Sequence, residues 1–146
     1  MNPLQKQANV KLEPFIFTAQ TTIGIGAAGN ITFNVDRSYN FYLKSFTWHA
    51  TQAGVFVGVN PFTFNIRDNV NSVFSNNVSC LHFSGIFRDT ATPLTTQVRQ
   101  GDSPFQFKPA RKFNAAGIIM VDMLNTSGAI IIVEFSLSGV KEIVSG

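Results

Sequence analysis

The residues best suited to metal, nucleophilic or acid–base chemistry are few: His49, His82, Cys80 and eight acids in a chain of 146 residues. A cupin-type metal centre needs an H-x-H pair plus a carboxylate from a neighbouring strand. No H-x-H occurs, and His82 stands alone between Leu81 and Phe83. Both histidines therefore read as surface or satisfied core residues. Cys80 and His82, two apart, would share one face of a strand, as a thiolate–imidazole pair requires. The run from Val78 to Phe83 is apolar, however, and such surroundings raise a thiol pKa and disfavour the thiolate. A single cysteine closes no internal disulfide and builds no thiolate zinc site.

The other chemical motifs fail in context. Asp36, Asp68, Asp89 and Asp102 lie in turn clusters, where an aspartate bonds nearby backbone N–H groups without any catalytic duty. There is no G-x-S-x-G nucleophile elbow. Gly24-Ile25-Gly26-Ala27-Ala28-Gly29 matches the dinucleotide fingerprint, but that mechanism needs a helix directly afterwards. The alternating Asn30-Ile31-Thr32-Phe33-Asn34-Val35 follows instead, so the glycines read as a turn between strands. Asn30-Ile31-Thr32, Asn77-Val78-Ser79 and Asn125-Thr126-Ser127 match the glycosylation pattern and read as incidental to an Asn- and Thr-rich chain. The expectation is a protein that is not an enzyme and carries no cofactor or metal.

The elements that hold these residues are strands. Ile31, Phe33 and Val35 alternate with polar residues; so do Phe62, Phe64 and Ile66, then Phe105 and Phe107, then Ile131, Val133, Phe135 and Leu137. A period of two buries one face of an antiparallel strand. Clusters of Asn, Asp, Gly and Pro separate the runs at the spacing of an all-β sandwich or barrel. The pattern predicts strands over 14–18, 31–36, 40–50, 54–59, 62–68, 78–87, 104–108, 117–124 and 129–140. This is an antiparallel, jelly-roll-like β-sandwich of about eight or nine strands. Residues 1–13 read as an extended N-terminal arm and residues 14–146 as one domain.

Charge and aromatic content shape the functional expectation. Charged residues make up 13% of the chain, about half the usual share. The net charge of +3 is a weak field for nucleic-acid binding, which is not expected. Lys108, Arg111 and Lys112 form the one dense basic group and suit a solvated loop or contact with an acidic protein surface. No apolar run reaches the length of a membrane span or of a signal-peptide core. Fifteen phenylalanines would crowd a sandwich core only ~10 Å thick. The strands at 40–50 and 117–124 have apolar residues on both faces. These features predict a homo-oligomer in which copies cover one another's apolar faces. Tyr42, Trp48, Arg111 and Phe113 are the expected interface anchors, joined by Ile119, Val121 and Met123.

Phe107-Lys108-Pro109, Ala115-Ala116-Gly117-Ile118, Leu124-Asn125-Thr126-Ser127-Gly128-Ala129 and Leu137-Ser138-Gly139-Val140-Lys141-Glu142 lie in the last third. Over residues 105–142 this text resembles the final strands of small bacteriophage virion structural proteins. The resemblance implies a single jelly-roll subunit, made in the host cytoplasm and built into the virion as a penton, cement or decoration protein, or neck component. Its partners would be its own copies, as a homotrimer or homopentamer, and other virion proteins, with no membrane involved. An alternative is a carbohydrate-binding jelly roll or phage receptor-binding tip, with Trp48, Tyr39 and Tyr42 as a stacking platform for sugar.

Overall fold

The computed structural model describes residues 9–52, 61–89, 97–99 and 105–145. Ten strands lie in this range: β1 (Asn9–Ile23), β2 (Ala28–Asn34), β3 (Tyr39–Gln52), β4 (Phe62–Arg67), β5 (Val78–Ser79), β6 (Gly85–Asp89), β7 (Gln97–Arg99), β8 (Phe105–Phe113), β9 (Ile118–Asn125) and β10 (Ile131–Ser145). The strand expected over 54–59 and arm residues 1–8 lie outside the described residues. Residues 9–13 belong to β1, where Asn9 pairs with Ser145 and Glu13 with Lys141.

The pairing is nested. β1 pairs β10, β2 pairs β9, β3 pairs β8 and β4 pairs β5, all antiparallel. That is one long hairpin rolled on itself, the jelly-roll arrangement. Further pairs, β3 with β10 and β4 with β9, join the strands into two sheets. One runs β1-β10-β3 and continues to β8 and β6-β7; the other runs β2-β9-β4-β5. The β6–β7 hairpin falls between β5 and β8 in the chain. β6 lies parallel to β3, from Trp48↔Gly85 to Gln52↔Asp89, a departure from the all-antiparallel expectation.

The core follows from side-chain alternation. Phe41, Leu43, Phe46, Trp48 and Ala50 of β3 and Val133, Phe135 and Leu137 of β10 point inward. Phe62, Phe64 and Ile66 of β4 and Ile119, Val121 and Met123 of β9 meet them from the second sheet. The rings interlock across the gap, with Phe46 and Phe64 centroids 5.6 Å apart and Phe64 and Phe135 at 5.1 Å. Edge-to-face and offset ring pairs of this kind add to area burial. A single sandwich thus holds a large share of the phenylalanine load that the composition made hard to place. Among the described residues eight phenyl rings are buried: Phe33, Phe41, Phe46, Phe62, Phe64, Phe83, Phe113 and Phe135.

Two local features depart from the expected strands. The segment 78–87 is not one strand: a 3-10 turn, Cys80–His82, interrupts it. Ser79 Oγ accepts the Leu81 N–H at 3.2 Å, and the Phe83 N–H closes onto Cys80 O at 3.1 Å. The second is a bulge at Lys44, where the register with β10 shifts between Ser138 and Gly139. A Cβ on Gly139 would lie 1.9 Å from Tyr42 O, so only glycine lets the two backbones approach this closely. Opposite the same bulge, residues 107–110 leave the β8 ladder between Gln106↔Ser45 and Arg111↔Leu43.

Candidate interaction surface

The structure redistributes the expected anchors. Trp48, Phe113, Ile119, Val121 and Met123 are buried in the protomer's own core, at 3% exposure or less. These five are corrected from interface residues to core residues. For β9 the error is one of face. Ile118, Met120, Asp122 and Leu124 share the outer side, and the charge at Asp122 marks it. Arg67 caps that side, with Nε donating to Asp122 Oδ2 and Nη2 to Met120 Sδ. Asp122 is thus the sequence signal that could have assigned Ile119, Val121 and Met123 inward.

Trp48 is fixed by polar contacts as well as packing. Its indole N–H donates to Cys80 O at 2.9 Å and Phe83 O at 3.2 Å. Its ring lies so close over Gly85 that a Cβ there would approach within 2.1 Å. Tyr39 is also buried, and Lys141 Nζ sits 4.5 Å from its ring centroid and 3.7 Å from that of Phe15. Trp48 and Tyr39 therefore leave no sugar platform. Tyr42 is half-buried on the outer side of β3, its hydroxyl 3.4 Å from Glu142 Oε2, while Asn40 Nδ2 donates to Oε1 at 3.1 Å.

The basic group is divided by the same alternation. Lys108 and Lys112 are exposed, but half-buried Arg111 lies 4.0 Å from Asp68 Oδ2 of its own chain. Asp68 is shaped for this turn: its Oδ1 accepts the Val70 and Asn71 N–H groups at 2.7 Å each. Those bonds, with the more distant Arg111 charge, hold its carboxyl below the usual aspartate range. Segment 68–77 then folds over β4, because the buried Asn65 amide exchanges bonds with the Phe74 backbone at 3.0 and 3.1 Å.

The candidate chemistry does not come together. Cys80 is fully buried while His82 is exposed, so the 3-10 turn separates the pair that a continuous strand would have aligned. Burial pushes the Cys80 thiol up to about 12. Among the described residues no three His, Cys, Asp or Glu side chains gather as a metal site. Folded protein at pH 8 is expected to leave Cys80 unmodified by a thiol reagent such as Ellman's, with full reaction after denaturation; rapid labelling in the folded state would contradict this burial. The Gly24–Ala27 segment is a tight turn leading into β2, with Ala27 N–H donating to Gly24 O at 3.1 Å and Gly26 at φ +65°.

What the surface does offer is an apolar strip. Val10, Leu12 and Ile16 of β1 are 52, 62 and 58% exposed, spaced two or four apart on one face. Pro14, Thr18, Gln20 and Thr22 complete that face, which carries no charge. Ile132 of β10, opposite Thr22, is also exposed. On the other sheet an open depression of about 660 Å³ is lined by Asn30, Asn77, Asp122 and Leu124, among others. No helix among the described residues is long and apolar enough to cross a membrane. Comparison with family models, curated proteins and solved structures returns no match.

Proposed function

We propose that this protein is a structural subunit of a bacteriophage particle, working by assembly as a symmetric homo-oligomer. Penton, cement or decoration protein, and neck component are the positions that its resemblance to small virion proteins implies, with threefold or fivefold rings as the expected arrangement. The observation that carries the assembly part is the uncharged strip of Val10, Leu12 and Ile16, exposed along a sheet margin. Solvent gains nothing from three aliphatic side chains in a row, whereas a neighbouring subunit removes them from water. The polar, sparsely charged remainder of the surface fits close packing among other proteins in a particle.

The test is solution mass by multi-angle light scattering. A stable, integral multiple of the 16.0 kDa chain is expected. A monomer that persists at high concentration would overturn the assembly reading.

A further inference from the structure

β1 is the end strand of its sheet, paired to β10 on one side only among the described residues. Pro14 sits in its middle, opposite Val140. A proline fits a ladder where its missing N–H faces the free margin. Alternation then turns the N–H and C=O groups of the even positions, Val10, Leu12, Ile16, Thr18, Gln20 and Thr22, outward in the sheet plane. These residues also carry the uncharged outer face. The margin thus presents unpaired backbone groups and exposed aliphatic side chains, interrupted by neither charge nor a bulge and only once by proline, at Pro14, which withholds a single N–H.

We infer that two copies of this chain pair antiparallel along β1, joining their six-stranded sheets across a two-fold axis. This rests on the assembly reading above and names the contact, with a two-fold at the strip and an even-numbered assembly in place of a threefold or fivefold ring built on it. Length selects the occupant. Among the described residues, β2 has seven residues, β5 has two, and β8 is broken at 107–110 and carries Lys108 and Lys112. Of these margins a second β1 is the one that matches fifteen residues. Size agrees: at about 3.4 Å per residue the strand runs ~50 Å, and a sheet layer is ~10 Å deep. Pairing therefore covers roughly 500 Å² per copy and ~1,000 Å² in all, about the size a biological interface must reach. A self-complementary contact of this kind is isologous and closes on itself. With the axis at Ile16 the whole strand overlaps, Leu12 meeting Gln20 and Val10 meeting Thr22 of the second copy.

The experiment compares wild type with L12K and I16K by light scattering, and I16C with a short bismaleimide cross-linker. Both lysine variants change exposed side chains, and matching circular dichroism and thermal melts verify that they fold. Wild type is expected as an even-numbered assembly, the lysine variants at half its mass, and I16C cross-linked between two chains. An odd-numbered assembly, or an even one whose mass is unchanged in both lysine variants without I16C cross-linking, would overturn the β1 pairing and leave the assembly reading standing. A persistent monomer would overturn both.

Discussion

Replacing Trp48 with alanine is expected to destabilise the fold by about 3–5 kcal/mol, the range for deleting a large buried ring. Against a typical domain stability of ~5–15 kcal/mol, that is a large fraction. The indole is 3% exposed, stacks edge-on to Phe62 at 5.2 Å and lies over Gly85. It also supplies the one donor that reaches both Cys80 O and Phe83 O, clamping the 3-10 turn to β3. Trp48→Phe separates the two contributions. It keeps much of the ring volume and removes the donor, so a smaller loss of about 1–3 kcal/mol is expected. Thermal and urea unfolding of both variants would read this. An unfolding midpoint within a degree of wild type for Trp48→Ala would contradict the placement. The same geometry bears on the carbohydrate alternative: loss of glycan binding in Trp48→Ala would report unfolding, and Tyr42→Ala is the informative variant.

Replacing Asn125 with leucine is expected to cost about 2–4 kcal/mol, since a whole polar network goes with one side chain. Asn125 is 2% exposed at the end of β9. Its Nδ2 faces Ile23 O at 3.1 Å, Gly24 O at 2.9 Å and Ala129 O at 2.6 Å. Its Oδ1 accepts the Ser127 N–H at 2.9 Å and the Ser127 hydroxyl at 2.7 Å. One carboxamide thus ties the β1–β2 turn to the β9–β10 turn at one end of the sandwich. Leucine has similar volume and leaves the Ile23 and Gly24 carbonyls without this partner. Asn125→Asp gives an independent check. A carboxylate there would face three carbonyl oxygens, so the neutral acid is favoured in the fold and the variant's pKa is raised. Its stability is then best at acid pH, where the protonated carboxyl donates, and falls as pH rises from the ordinary aspartate value through the raised pKa of the folded state. A pH-independent Asn125→Asp melt, or a neutral Asn125→Leu, would contradict the network.

The sequence determined the secondary structure type and the layer architecture. Phe62-Thr63-Phe64-Asn65-Ile66 can bury one face only as a strand, and the turn clusters between such runs leave little room for another fold class. The glycines at 24–29 were legible as a turn because a strand, not a helix, follows them. The aliphatic alternation of Val10, Leu12 and Ile16 was also present in the text, masked by Lys11 and Glu13, whose ion pair at 2.8 Å lies on the opposite face. What only the tertiary structure decided was which apolar residues are hidden. Alternation divides a strand into two faces without saying which is inner, so Ile119, Val121 and Met123 fit an interface as well as a core, and the Arg67–Asp122 contact on the outer side places them in the core. Trp48 likewise has an interface residue's composition and a core residue's position, because Gly85 and two carbonyls lie beside it only after β6 docks parallel to β3. Pairing across more than a hundred residues, as between β1 and β10, leaves no local trace, and it alone makes β1 a free margin.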